Sequence, residues 1–316
     1  MEARSGHRGG HRGGRRGDIA PAHPGRARVW LQALRVPTLA AAVVPVVVGS
    51  AVAARQGLFR PGPALAALLG ALFIQIGTNL ANDLFDDQKG ADRAGRIGPT
   101  RVLAAGWLSP DEVRRAMIAA FALATAAGIY LVFAAGWPVV LIGAASIAAG
   151  VGYTAGRWAL GYHGLGDIAV FFFFGVVAVA GTYFVQAGSV SPLALAASLP
   201  VGALCTNILV VNNVRDVDAD RASGKRTLAV LLGRQAVRAE YGLMLGVAYA
   251  IPILLWVGGE LTPGGLLPLL TLPLAIAAFR TILTRSDGPS LNRALGATAR
   301  LHVLFGSLFA LGIVAS

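Results

Sequence analysis

Long apolar stretches separated by short polar connections run along most of this chain. Uncharged segments of about 18 to 25 residues recur from Val36 to the C-terminus, and this is the length that an α-helix needs to cross a bilayer. The pattern predicts an all-α fold, a polytopic membrane protein built as a bundle of about nine transmembrane helices. The predicted spans cover residues 37–54, 62–84, 113–134, 137–154, 166–187, 192–212, 237–257, 264–283 and 292–315.

The composition supports a membrane protein. Of the 316 residues, 55% are hydrophobic and only 13% are charged, whereas about 25% charged residues is usual in a soluble domain. The one cysteine, Cys205, falls inside an apolar stretch, so the chain can form neither an internal disulfide nor a cysteine-based metal site. A soluble globular domain and a disulfide framework are therefore excluded.

The basic residues are concentrated in the N-terminal segment and in connections between apolar spans. Residues 1–28 are rich in Gly, Arg and His, and we predict a disordered basic tail there, followed by one transmembrane domain over residues 29–316. This distribution explains the net charge of +12 without a nucleic-acid partner.

The same distribution predicts the orientation of the chain. Most of the remaining basic residues lie in the second, fourth, sixth and eighth connections. By the positive-inside rule, the N-terminus and these connections are cytoplasmic, and the C-terminus, after an odd number of spans, is outside. We expect a multi-pass protein of the cell inner (plasma) membrane whose long polar loops share the cytoplasmic face.

Two short segments hold seven of the 15 acidic residues. One segment follows the second span and the other follows the sixth, so both lie at the predicted cytoplasmic face. On a helix, their spacing places the polar side chains of each segment on one stripe. The stripes consist of Asn79, Asn82, Asp83 and Asp86 in the first segment, and of Asn212, Asp216 and Asp220 in the second.

Carboxylates crowded at a membrane edge repel one another and are costly to desolvate, so the two stripes indicate a bound cation. Oxygen ligands favour Mg²⁺ or Mn²⁺ over zinc, and Mg²⁺ held in this way usually keeps positions open for phosphate oxygens. The only two lysines, Lys89 and Lys225, each follow one acidic segment and would neutralise the charge of a diphosphate. In the alternative interpretation, the acids are solvated loop ends paired with Arg93, Arg215 and Arg221.

Both segments resemble the signature motifs of the UbiA superfamily of intramembrane aromatic prenyltransferases. The motif after the second helix reads Asn82-Asp83-x-x-Asp86, and the motif after the sixth reads Asp216-x-x-x-Asp220. The flanks are most similar to the 1,4-dihydroxy-2-naphthoate polyprenyltransferases of menaquinone synthesis. The similar segments are residues 82–92, 96–101, 161–167, 212–221 and 224–228.

The resemblance implies Mg²⁺-dependent transfer of a polyprenyl group from prenyl diphosphate to 1,4-dihydroxy-2-naphthoate, with loss of carbon dioxide. It implies a cytoplasmic cap formed by the loops between helices 2 and 3 and between helices 6 and 7. The implied metal ligands are Asp83, Asp86, Asp92, Asp216 and Asp220. The implied substrate contacts are Asn79, Asn82, Lys89, Arg96, Arg101, Arg157, His163, Asn212, Arg215 and Lys225.

Aromatic and imidazole side chains add further candidates. Tyr153, at the end of the fourth span, would join Lys89 and Lys225 as a catalytic residue by stabilising an allylic cation or orienting the acceptor. An interfacial tyrosine is the alternative. His163 is a candidate acid or base near the acceptor, against an ordinary loop histidine. The four phenylalanines at 171–174 either line a channel for the isoprenoid or pack in the core.

Other functions remain as alternatives. The same scaffold would serve another aromatic acceptor, such as homogentisate, 4-hydroxybenzoate or a polyketide naphthol. A CDP-alcohol phosphotransferase needs an Asp-Gly-x-x-Ala-Arg signature that neither segment contains. A cation transporter would place its carboxylates near the bilayer midplane, whereas here they lie at helix ends on one side.

Overall fold

The computed structural model describes residues 25–90, 98 and 101–316, and in this part of the chain the regular structure is entirely helical. The predicted tail falls mostly on residues 1–24, outside the described part, and the first helix begins at Arg26, three residues before the expected domain boundary. The α-helices are α1 Arg26–Ala33, α2 Ala40–Arg55, α3 Pro61–Gln88, α4 Pro110–Ala135, α5 Pro138–Gly152, α6 Gly166–Val170, α7 Ala178–Ala187, α8 Pro192–Ala222, α9 Leu228–Leu232, α10 Arg234–Val257, α11 Leu272–Thr284 and α12 Gly288–Val314. Shorter helical turns are 3₁₀ helices at Val36–Leu39, Leu160–Tyr162 and Pro263–Thr271, and a π-helix occupies Phe171–Val177.

The predicted fold class is confirmed. Each of the nine predicted spans corresponds to a helix or to helices that run on from one another. In the described residues, eight helical stretches are long and apolar enough to cross a membrane. The exception is α5, whose 15 residues extend about 22 Å, short of the roughly 30 Å hydrocarbon core.

Proline and capping side chains define where several spans begin. Prolines occupy the first turn of α3, α4, α5 and α8, where the missing N–H would have no intrahelical partner. Ser109 starts α4 with a capping box: its hydroxyl accepts from the Glu112 N–H, and the Glu112 carboxylate accepts from the Ser109 N–H.

Two helices continue well past their apolar segments. The 28 residues of α3 and the 31 residues of α8 correspond to about 42 and 46 Å, more than a bilayer core requires. The additional turns carry the two acidic motifs beyond the apolar region while they are still helical. Both stripes are therefore held on rigid backbone.

Helix α8 lies at the centre of the bundle. It packs against α2, α10, α12 and the π-helix, and most of its residues are buried. The π-helix approaches α8 at Gly175 and Gly202, where a methyl group on Gly202 would lie 2.8 Å from the Phe171 carbonyl oxygen and 3.1 Å from the Gly175 Cα. Small residues at this crossing let the two backbones touch, as is common in membrane helix pairs.

Candidate active site

The ends of α3 and α8 that carry the acidic motifs meet at one polar cavity of about 180 Å³. Side chains from the 154–162 connection and from the segment after α8 complete its wall. Residues that line it include Arg35, Asn82, Asp86, Arg101, Tyr153, Thr154, Tyr162, Asn212, Asn213, Asp216, Asp220, Lys225 and Thr227. The structure thus brings together both motifs, one of the two lysines and Tyr153.

The first stripe divides between two environments. Asn82 and Asp86 line the cavity, whereas Asn79 is buried against the segment before α2. The Asn79 amide donates to the Leu34 carbonyl and to the Thr38 hydroxyl, both at 3.0 Å. Asn79 was predicted to contact substrate, but here it ties α3 to the N-terminal segment.

Arg101 connects the two carboxylates of the first motif. Its guanidinium donates to Asp83 Oδ1 at 3.4 Å and to Asp86 Oδ2 at 3.2 Å. Arg35 Nη2 also lies 3.9 Å from Asp83. Asp83 is buried and does not line the cavity, so it faces arginine side chains rather than the cavity space.

Both carboxylates of the second motif line the cavity, whereas only one of the two in the first motif does. Asp216, Asp220 and Asn212 all line the cavity. Arg215 does not line it, because its buried guanidinium pairs with the adjacent Asp216 through Nε at 2.8 Å and Nη2 at 2.6 Å. The remaining Nη1 donates to Asn292 on α12 at 2.9 Å. Arg215, predicted to contact substrate, instead orients Asp216.

The two lysines have different contacts: Lys225 pairs with a carboxylate of the first motif, and Lys89 bonds to backbone carbonyls. Lys225 Nζ lies 3.2 Å from both carboxylate oxygens of Asp86, which joins the segment after α8 to α3. Lys89 does not line the cavity; its Nζ donates to the carbonyls of Thr154 at 2.6 Å and Gly156 at 3.1 Å. Partial burial lowers the pKa of Lys89, the charge of Asp86 opposes this shift, and the nearby charge of Lys225 adds to it.

Tyr153 stands between the polar cavity and a second, apolar one. It lines both, and the apolar cavity, of about 630 Å³, extends between α2, α3, α4, α5 and the π-helix. Phe173 and Phe174 line this apolar cavity, whereas the other two phenylalanines of the run do not.

Four further predicted residues lie outside the cavity wall or outside the described chain. Arg157 and His163 are exposed and do not line the polar cavity. The His163 ring stays local, with Nδ1 3.0 Å from the Ala159 carbonyl oxygen. Asp92 and Arg96 fall on residues that the structure does not describe.

Sequence reasoning missed Tyr162 and Arg35. The Tyr162 hydroxyl donates to Asp86 Oδ1 at 2.8 Å, and the Nζ atoms of Lys89 and Lys225 lie 4.0 and 4.9 Å from its ring centroid. Tyr162 lies in the glycine-rich segment 161–167, one of the segments that resemble the family, and this resemblance was the sequence feature that could have indicated it. Arg35, just before the first span, has a left-handed backbone with φ 51°. No sequence pattern indicated that this turn would aim a side chain at the acidic motif.

Comparison with known proteins agrees with this architecture. Residues 42–307 match the model of the UbiA prenyltransferase family. The chain belongs to the UbiA prenyltransferase family. A 1,4-dihydroxy-2-naphthoate octaprenyltransferase of Escherichia coli (strain K12) is 36% identical over 92% of this chain and 96% of its own length. The protein of that name from Mycobacterium tuberculosis (strain ATCC 25618 / H37Rv) is also 36% identical, over 90% of this chain and 96% of its own length.

A solved structure supports the fold independently. A UbiA homolog from Archaeoglobus fulgidus bound to DMAPP and Mg²⁺ superposes with a TM-score of 0.62, covering 89% of this chain and 99% of that chain. Its sequence identity is 18%, so the likeness concerns the fold. The predicted membership of the UbiA family and the predicted class of enzyme, a prenyltransferase, are confirmed.

The donor set of this UbiA member fits divalent magnesium. The described residues contain no group of three or more His, Cys, Asp or Glu side chains placed to hold a metal by themselves. The cavity instead offers carboxylate oxygens of Asp86, Asp216 and Asp220 and amide oxygens of Asn82 and Asn212. Mg²⁺ commonly takes one or two carboxylates and completes its shell with water and substrate phosphate. This sparse oxygen set therefore suits an ion that is held jointly with a diphosphate.

Proposed function

We propose that the protein transfers a polyprenyl group from a Mg²⁺-held prenyl diphosphate to 1,4-dihydroxy-2-naphthoate, with loss of carbon dioxide, in menaquinone biosynthesis. The observation that carries this proposal is the meeting of both acidic motifs at a polar cavity that adjoins a larger apolar one at Tyr153. Such a pair of spaces suits an amphiphile with a charged head and a hydrocarbon tail. The names of the two relatives support the choice of acceptor.

On the donor side, Asp86, Asp216 and Asp220 would hold the metal. Asp83 would act through the shared Arg101, because it lies outside the cavity wall. Lys225 and Arg101 supply positive charge next to Asp86, and Asn82 and Asn212 supply polar contacts. Bound Mg²⁺ would supply further positive charge that stabilises the departing diphosphate. Lys89, Arg157 and His163 would reach substrate only after rearrangement.

The transfer breaks the allylic C–O bond, and the electron pair leaves with the diphosphate. The ring carbon that bears the carboxylate then donates an electron pair to the allylic carbon. The bond from this ring carbon to the carboxylate carbon breaks, carbon dioxide leaves, and the electron pair of that bond restores the aromatic ring. Lys225 and Arg101 stabilise the leaving oxygens. Tyr153 lines both cavities, and its ring would stabilise an allylic cation formed at their junction.

The excess of basic residues in the even-numbered connections supports a cytoplasmic site in the cell inner (plasma) membrane. Contacts between residues in or next to these connections support the location of the connections on one common face of the bundle. Arg215 on α8 reaches Asn292 at the start of α12, and Arg238 near the start of α10 reaches the Arg285 carbonyl after α11. The proposed reaction therefore takes place at the membrane side that carries most of the positive charge.

The proposal is tested with membranes that contain the protein, radiolabelled prenyl diphosphate and a panel of acceptors. We expect a prenylated product and release of carbon dioxide with 1,4-dihydroxy-2-naphthoate. Product with homogentisate, 4-hydroxybenzoate or a polyketide naphthol, and none with dihydroxynaphthoate, would refute the acceptor assignment.

Paired variants of neighbouring carboxylates test the donor half in the same assay. Asp216→Asn removes a cavity carboxylate and should lower kcat by about 100-fold or more, the scale of losing an electrostatic catalytic group. Asp218→Asn is the matched control, because Asp218 is exposed, pairs with Arg234 at 2.8 Å and does not line the cavity. It should keep near wild-type activity, and equal losses in both variants would contradict the proposed metal ligands.

A further inference from the structure

We propose that Tyr162 is a positioning residue that holds Asp86 through its hydroxyl and gathers Lys89 and Lys225 through its ring. The inference deepens the proposed function, on which it rests. In this inference one side chain contacts three charged groups, Asp86 and Lys89 at the end of α3 and Lys225 after α8.

The contacts of Tyr162 are specific. Its hydroxyl donates to Asp86 Oδ1 at 2.8 Å, and the side chain lines the polar cavity. Lys89 Nζ lies 4.0 Å and Lys225 Nζ lies 4.9 Å from the ring centroid, both within the range of a cation–π interaction. Lys89 follows α3 and Lys225 follows α8, so Tyr162 lies between the ends of the two motif-bearing helices.

Two ammonium groups gathered at one site repel each other. The Nζ atoms of Lys89 and Lys225 lie 4.0 and 4.9 Å from the same ring centroid, which brings the two charges close together. The electron-rich face of an aromatic ring partly offsets this repulsion without adding a competing carboxylate. A ring therefore keeps positive charge next to Asp86 and leaves that charge available to phosphate oxygens.

The backbone around Tyr162 is fixed from both sides. Its carbonyl accepts from the Arg226 N–H at 3.2 Å, next to Lys225. The preceding Gly161 N–H donates to the Tyr153 carbonyl at 2.9 Å, and a methyl group on Gly161 would lie 2.8 Å from the Tyr153 ring. The backbone of Tyr162 is thus linked to both the junction tyrosine and the segment of the second lysine, so the position from which its side chain projects is held.

The hydroxyl and the ring make separable contributions. A hydroxyl that donates to a metal-binding carboxylate orients it, and loss of such a partner typically weakens metal affinity by about 10- to 100-fold. The ring acts on the lysines, so its loss should affect the diphosphate. Tyr162→Phe removes only the first contribution, and Tyr162→Leu removes both.

The test measures Mn²⁺ binding to the purified full-length protein by electron paramagnetic resonance, together with KM for prenyl diphosphate at saturating Mg²⁺. Tyr162→Phe should bind Mn²⁺ about tenfold more weakly, with KM within about twofold of wild type because the ring remains. Tyr162→Leu should show the same loss of Mn²⁺ affinity and a KM raised about tenfold. Trp158→Leu, an exposed aromatic residue of the same connection, is the control and should change neither quantity.

Unchanged Mn²⁺ affinity in Tyr162→Phe, or an unchanged KM in Tyr162→Leu, overturns the inference. A general folding defect is recognised because it would raise KM in Tyr162→Phe as well. Titration with inorganic diphosphate separates this inference from the acceptor assignment. If dihydroxynaphthoate is not prenylated but the variants still differ in Mn²⁺ and diphosphate affinity as expected, only the acceptor assignment fails.

Discussion

Asp86 has three partners that compete with a metal ion. It is almost fully buried and lies within hydrogen-bond distance of Arg101, Lys225 and Tyr162. A buried carboxylate is tolerated only when it is paired, and these partners provide the pairing. Binding of a metal and a diphosphate would then exchange partners, with the cations moving from Asp86 to phosphate oxygens.

The two lysines should therefore give different mutant phenotypes. Lys225→Met removes a cation from the cavity, and we expect KM for prenyl diphosphate to rise about tenfold, the cost of one charge-assisted contact of about 1.5 kcal/mol. Lys89→Met leaves the carbonyls of Thr154 and Gly156 without this donor, so thermal stability should fall while KM changes less.

Steady-state kinetics and thermal unfolding in detergent check this contrast. The two lysine variants serve as controls for each other, because both lose one positive charge near Tyr162. Identical effects on KM and on the unfolding temperature would show that the two ammonium groups are equivalent, contrary to the geometry.

At the level of helices, the sequence predicted what hydrophobicity and spacing determine. The apolar segments located each span, and the spacing of Asn82 and Asp86 placed both on one side of α3, where they line the cavity. Spacing alone could not separate Asn79 from them, because its burial depends on Leu34 and Thr38, which are distant in sequence. No sequence pattern indicated the π-helix either, which packs against α8.

The crossing of the π-helix and α8 gives a prediction at this scale. Gly202→Ala places a methyl group 2.8 Å from the Phe171 carbonyl oxygen, so the two backbones must separate. We expect a loss of about 1–3 kcal/mol in stability, the usual cost of overpacking. Because Phe173 and Phe174 line the apolar cavity, KM for a long prenyl diphosphate should also change.

The matched control is Gly246→Ala on α10, where an added methyl group meets no heavy atom within 4 Å. Removing a helical glycine there should be neutral or stabilising by up to about 1 kcal/mol. Thermal unfolding of both variants in one detergent provides the measurement. A Gly202→Ala variant as stable as Gly246→Ala would show that the crossing tolerates separation.

The molecule as a whole has two chemically different ends. One end carries the polar cavity, both lysines and the connection after α11. In this connection, the Arg285 carbonyl and the Ser286 hydroxyl accept hydrogen bonds from the Arg238 guanidinium. At the other end, Arg60 bonds to Gln186 and to the Ala134 carbonyl. A spanning bundle with both acidic motifs and both lysines at one end can draw a charged substrate from one aqueous compartment only.

Cysteine labelling tests which compartment that is. Ser286→Cys and Ser189→Cys each place a thiol at an exposed position, after α11 and after α7 respectively, and therefore at opposite ends of the bundle. The native Cys205 is buried in α8 and serves as an unreactive background. With an impermeant thiol reagent on intact cells, we expect Ser189→Cys to be labelled at once and Ser286→Cys only after permeabilisation, because the positive-inside rule places the basic end in the cytoplasm. Labelling in the reverse order would place the polar cavity outside, where a cytoplasmic prenyl diphosphate could not reach Lys225 and Arg101.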